Sequence, residues 1–264
     1  MKYEALLVEK ERGIATVTLN RPQALNAVNE AMGHEYIEAM ESLSKDGDVR
    51  VVVVRGEGKA FCAGADVNSF MALVEARDRG EPAVLHPDFR RKVPLLMRNM
   101  PQPTIASVQG NALGLGFTIA LNCDMRIATE DARFGTGHVR MGLCPECGST
   151  YLLPRLIGLP RAMELALTGR VIGAQEAYEM GMLNRVVPLD KLSEATRELA
   201  AAIAATAPLA VPAIKRLMHS GLNTELAAQV EFEATSIAAL FQTKDHSEAV
   251  RAFFQKRPPA FSGR

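Results

Sequence analysis

Apolar and polar positions alternate over residues 5–9 and again over 14–19 (IATVTL), and the turn-like ERG between them predicts a pair of strands. The β-branched run RVVVVRG at 50–56 predicts a buried strand. Between these stretches, apolar residues recur every three or four positions in NEAMGHEYIEAMESLSK, which predicts an amphipathic helix over 29–45. The order then repeats: a strand in PTIASVQG (103–110), a glycine-opened helix in ALGLGFTIALN, and a strand in CDMRIAT (123–129). Strand–helix–strand alternation implies an α/β layer architecture with parallel pairing. No sequence period of the length that marks repeat proteins is present.

From about residue 160 the pattern changes. RAMELALTG, AQEAYEMG, LDKLSEATRELAAAIAAT, LAVPAIKRLMHSG and the alanine-rich stretch 224–241 all predict helices, and the last seventy residues show no strand. The division expected is a core over 1–195 and a helical region over 196–264. The apolar faces of these late helices suit either an oligomer interface or closure of the chain's own core. Residues 66–92, with mixed charge, two prolines and weak periodicity, predict a mobile loop over a site.

Composition narrows the function. The chain has 264 residues, 48% of them apolar, and 30 basic against 30 acidic side chains. Balanced charge and the absence of a basic run argue against nucleic acid or an anionic membrane as partner, leaving small molecules or copies of the chain itself. No apolar run reaches the roughly 18 residues of a membrane span. MKYEALLVEKERG mixes acids and bases where a signal peptide would have an apolar core, so a soluble cytoplasmic protein is expected. Four cysteines, at 62, 123, 144 and 147, do not make a disulfide framework.

Three motifs bear chemistry. Cys144 and Cys147 have C-x-x-C spacing but no further cysteine or histidine pair to complete a zinc site, so no metal is expected and the pair reads best as buried, inert thiols. Two glycine loops, GKAFCAGAD (58–66) and GNALGLGF (110–117), each follow a strand. Such loops serve either as plain turns or as backbone N–H donors converging on one ligand oxygen. The second is G-x-x-x-G-x-G, which is not the dinucleotide fingerprint, and no P-loop is present.

NRPQALNAV (20–28), GKAFCAGADV (58–67), PTIASVQGNALGLGFTIALNCDMRIA (103–128), FGTGHVRMGLCPECGSTYLLPRLIG (134–158) and FFQKRPPAF (253–261) together resemble the crotonase family of enoyl-CoA hydratases and isomerases. The resemblance implies a spiral of ββα units with a helical C-terminal trimerisation region, and homotrimers or dimers of trimers. It implies an acyl-CoA thioester substrate, with coenzyme A entering as part of that substrate and no permanently bound cofactor. The N–H groups of Ala65 and Leu115 would form an oxyanion hole for the thioester carbonyl. Ala63, Ala65, Asp66 and Val67 would border the adenine, Leu25 and Ala27 the pantetheine, and Lys256 either meets a coenzyme A phosphate or is a solvated basic tail.

Where hydratases of this family carry two catalytic glutamates, the sequence has Thr118 and His138. A glutamate stands eight residues after His138, in PECGSTYLLPR, and that pattern resembles the peroxisomal-type Δ3,Δ2-enoyl-CoA isomerases, in which the base occupies the position of Glu146. Pro145 and Glu146 also suit ordinary helix-start chemistry. The expectation is a one-base isomerase, with Leu113, Phe117, Leu143, Phe70 and Met71 as candidates for an apolar wall that raises the Glu146 pKa. Two alternatives stay open: a hydratase or thioester hydrolase in which Glu146 and His138 share the work, and a coenzyme A thioester-binding protein without turnover.

Overall fold

The computed structural model describes residues 3–82 and 87–264. β1 (Leu6–Glu11) and β2 (Ile14–Leu19) form an antiparallel hairpin about Arg12 and Gly13, both at positive φ, 51° and 78°. Gly13 takes that conformation without strain, which is why ERG makes the turn. α1 (Glu30–Ser44) starts at Asn29, whose side chain accepts the Met32 amide, and it buries Met32, Tyr36, Met40 and Leu43 along one stripe. β3 (Val51–Gly56) is the buried valine run.

The stretch predicted as a loop, 66–92, instead holds α2 (Val67–Asp78) and the start of α3 (Pro87–Asn99); residues 83–86 of it lie outside the described residues. α2 buries no residue, so there is no apolar stripe for periodicity to reveal. α3 buries Phe89, Val93 and Met97 at helical spacing. Next come β4 (Thr104–Val108), β5 (Asn111–Leu113) and α4 (Leu115–Asn122), then β6 (Met125–Thr129), β7 (Arg133–Gly135) and α5 (Ser149–Ile157). The strand–strand–helix unit thus recurs.

The remainder is α6 (Leu159–Thr168), β8 (Ile172–Gly173), α7 (Ala174–Glu179), β9 (Arg185–Val187), α8 (Leu192–Ala204), α9 (Ala210–Gly221), α10 (Leu226–Phe241) and α11 (Lys244–Phe254). The larger sheet has the order β1-β2-β3-β4-β6-β9 and is parallel from β2 onward; the smaller has the order β5-β7-β8. After β1–β3, which all join the large sheet, the pairs β4/β5, β6/β7 and β8/β9 each give one strand to the large sheet and one to the small, so the chain winds as the expected spiral of ββα units. β5, β7, β8 and β9 have three residues or fewer, too short for alternation to register.

Helices cover the large sheet. α8 lays Ala200 on Val51, Val53 and Ile105, and so the division expected at residue 195 falls inside a helix packed on the core. Beyond it, α9, α10 and α11 leave large apolar side chains uncovered, among them Met218, Leu226, Phe253 and Phe254. No helix among the described residues is long and apolar enough to cross a membrane.

Candidate active site

The two glycine loops are stitched together. The Phe61 amide donates to the Gln109 carbonyl at 2.8 Å, Cys62 to Asn111 at 2.9 Å and Leu113 to Cys62 at 3.0 Å, so the first loop runs parallel to the start of the second. Glycine is required at the crossing: a Cβ on Gly64 (φ 117°) would stand 3.1 Å from the Leu113 carbonyl oxygen, and one on Gly116 would collide with the Cys62 carbonyl. The result sets Ala65 beside the turn that opens α4 at Leu115.

Neighbouring amides in these turns have acceptors: Asp66 donates to Val28, Gly114 to Gly135 and Thr118 to Gly114. Those of Ala65 and Leu115 have none among the described residues. Buried backbone donors are nearly always paired. Every residue of α4 is buried, and its N-terminal amides form a partially positive end beside the half-buried Ala65 and Gly114.

A second wall comes from residues 25–28. Ala63 donates to the Leu25 carbonyl and Val28 to Gly64, which brings Leu25 and Ala27 alongside Ala63–Asp66. Arg21 secures the junction: Nη1 donates to the Ala27 carbonyl at 2.6 Å and Nη2 to Asp66 Oδ2 at 3.0 Å. Asp66 also caps α2 by accepting the Asn68 amide, which leaves Val67 exposed on the first turn. Burial alone would raise the Asp66 pKa, but Arg21 and the Asn68 amide outweigh it and hold the carboxyl low.

Glu146 lies at the other end of α4. Asn122 Nδ2 donates to the Thr118 carbonyl at 2.7 Å and to the Cys147 carbonyl at 2.8 Å, tying the Glu146 turn to the helix. Glu146 is not in the first turn of a helix, contrary to the helix-start alternative: α5 begins at Ser149, and the Glu146 carbonyl accepts both the Ser149 amide and its hydroxyl. Between them Cys147 and Gly148 both adopt left-handed backbone, φ 50° and 76°. Two groups meet the Glu146 carboxylate. Arg90 Nε donates to Oε2, and His138 Nε2 lies 3.7 Å from Oε1. His138 is buried, and its Nδ1 has no partner among the described residues.

The Glu146 pKa is lowered, not raised as the sequence reading expected. Burial pushes it up, but the His138 contact and the Arg90 guanidinium together outweigh burial. The expected apolar wall is also only partly assembled. Phe117 belongs to the core, 1% exposed and tilted on Phe134, whereas Leu143 and Met71 stand 46% and 59% exposed. Phe70 and Leu113 are half-buried. Thr118, expected from the resemblance to stand at a hydratase glutamate position, spends its hydroxyl on the Leu115 carbonyl.

Of the expected site residues, Leu25, Ala27, Ala63, Ala65, Asp66, Val67 and Leu115 converge, and Glu146 meets His138. Lys256 does not join them; it stands exposed after α11, an element packed on α10. Cys144 is exposed rather than buried, Cys147 is buried with its thiol pushed up to about 12, and no group of metal-ligating side chains occurs among the described residues. Arg90, Arg21 and Asn122 escaped the sequence reading. Phe89, Val93 and Met97 behind Pro87 were the available signal for the helix that carries Arg90.

The ββα spiral, with paired glycine loops presenting free amides at one end of α4 and the Glu146 turn tied to the other, defines a protein of the crotonase fold. The family described as Enoyl-CoA hydratase/isomerase matches residues 9–264, and the chain belongs to it. It is 38% identical to a probable enoyl-CoA hydratase of Rhodobacter capsulatus, with full coverage of both chains. It is 35% identical to the 1,2-epoxyphenylacetyl-CoA isomerase of Escherichia coli, over 99% of each. An enoyl-CoA hydratase from Bacillus anthracis superposes with a TM-score of 0.92 at 35% identity, covering 99% of this chain and 100% of that one.

Proposed function

We propose that the protein isomerises 3-enoyl-CoA thioesters to 2-enoyl-CoA with Glu146 as the single acid/base. The observation that carries this reading is the composition of the site: one glutamate, Glu146, stands in a turn that Asn122 ties to the end of α4, while the positions that the resemblance gives to the two hydratase glutamates hold Thr118 and His138. The thioester carbonyl oxygen accepts from the Ala65 and Leu115 amides, and the enolate that forms there gains most from donors that need no reorganisation. Glu146 takes a proton from C2; the double bond moves from C3–C4 to C2–C3, and the same carboxyl delivers the proton to C4. Atoms balance without water or a cofactor.

Ala63–Val67, Leu25 and Ala27 would border the coenzyme A moiety, with Lys256 reaching it only if a neighbouring copy brings it there. The uncovered apolar residues of α9–α11 support a homotrimer or a dimer of trimers, a matter for sedimentation. His138 favours one second reading. Its Nε2 near Glu146 and its unpartnered Nδ1 suit a water held for hydration of a 2-enoyl-CoA, the activity that the names of most relatives carry. Side-by-side turnover of trans-3-hexenoyl-CoA and crotonyl-CoA separates the two. Conversion of the first to the conjugated thioester, with poor hydration of the second, supports isomerisation; the reverse preference supports hydration.

A further inference from the structure

The isomerisation chemistry makes no use of Arg90, yet α3 is built to deliver it. Phe89 packs on Tyr36 with ring centroids 5.8 Å apart, and Val93 and Met97 are buried in the core. Pro94 then lies against the Glu146 turn, where a Cβ on Gly148 would stand 3.2 Å from it. Arg90 is one helical turn before Pro94, on the same face, and its Nε donates to Glu146 Oε2. Both side chains are largely withdrawn from solvent, 24% and 20% exposed.

Resting on the reading of Glu146 as the base, we infer that Arg90 is a positioning residue. It holds Glu146 as an oriented carboxylate by its Oε2, leaves proton transfer to Oε1, which His138 Nε2 approaches to 3.7 Å, and sets the acid limit of turnover. The groups that face Glu146 are Arg90 from α3, His138 from the turn after β7, and the adjacent Cys147. Cys147 is neutral at working pH because burial pushes its thiol up to about 12, and His138 carries charge only when protonated. Arg90 is the permanent charge of the three, since a guanidinium does not deprotonate in proteins. The same charge makes protonated Glu146 a stronger acid, which favours return of the proton to C4, and makes the carboxylate a weaker base toward C2.

The test measures kcat and kcat/KM on trans-3-hexenoyl-CoA from about pH 3 to about pH 9, in brief assays within each variant's stable range, for the wild type, Arg90→Gln, Arg90→Lys and Glu146→Gln, each checked for folding by circular dichroism. Arg90→Gln is expected to move the acid limb of kcat/KM up by about one pH unit. Its kcat should fall about tenfold or more through loss of orientation, with KM little changed. Arg90→Lys, which keeps the charge, should keep the limb near its wild-type position. Should Arg90→Gln not fold, Arg90→Met preserves the stem and helix propensity and is read in the same way. A folded variant without the charge and with an unmoved limb overturns the role of Arg90, provided Glu146→Gln is inactive. If Glu146→Gln keeps wild-type turnover, the base assignment itself falls, and this inference with it.

Discussion

Asp124, directly after α4, holds the frame behind the site, and its replacement by Asn gives a measurable prediction. Its Oδ2 accepts the Thr104 amide at 2.8 Å and hydroxyl at 2.9 Å and pairs with Lys215 Nζ at 2.8 Å; Oδ1 meets His219 Nε2 at 3.1 Å. The Lys215 side chain is 6% exposed and that of Asp124 is 17% exposed, so the pair is buried. Lys215 also donates to the Met97 and Gln102 carbonyls, each at 2.9 Å, which joins α9 to the end of α3 and the start of β4.

Removing one member of a buried pair costs about 3–5 kcal/mol, because the other charge is stranded. Lys215 keeps two carbonyl acceptors in Asp124→Asn, which places the cost near the lower bound, about 3 kcal/mol. For a chain of this size that lowers Tm by roughly 6–12 °C, read by circular dichroism at fixed protein concentration. The pH dependence carries a sign. Burial raises the Asp124 pKa, but the His219 hydrogen bond and the Lys215 charge outweigh it, and the folded value lies below the ordinary one. The stabilisation is therefore full above about pH 4 and is lost as pH falls through the folded pKa, so the gap between wild type and variant should close in acid. A neutral-pH loss below about 1 kcal/mol, or a gap that widens in acid, would refute the reasoning.

Two further outcomes follow from the walls of the site. Arg21→Ala releases the Ala27 carbonyl and Asp66 together, and steady-state kinetics should show KM for the acyl-CoA rising roughly tenfold with kcat little changed, as expected when binding is lost equally in ground and transition states. Titration of the native protein with a thiol reagent should modify Cys144 alone, and Cys62, Cys123 and Cys147 only after unfolding, since those three are buried.

Much of this was legible in the chain. The valine run of β3 and the apolar stripe of α1 announced themselves because each depends on local periodicity. The glycine loops were legible too, since the close approach of Gly64 to Leu113 and of Gly116 to Cys62 leaves room for no side chain. The resemblance added the pairing of Ala65 with Leu115, which no local pattern specifies. What failed to register was tertiary. α2 buries nothing, so its sequence reads as a loop, and with α3 hidden in the same stretch Arg90 had no apparent place. The pKa of Glu146 was misjudged in part for that reason: the His138 contact and the Arg90 guanidinium, the latter 56 positions away in sequence, together outweigh the burial that the apolar neighbours suggested.

The most direct test of the central claim is turnover of trans-3-hexenoyl-CoA by wild type and Glu146→Gln, followed by the ultraviolet absorbance of the conjugated thioester and by chromatography of the products. The account predicts that the wild type forms the 2-enoyl thioester and that Glu146→Gln, folded and still binding the thioester, loses this conversion by a hundredfold or more, on the order of 10² to 10⁴ for a general acid/base. Isomerisation by Glu146→Gln at the wild-type rate would contradict it and move the search for the proton carrier to His138.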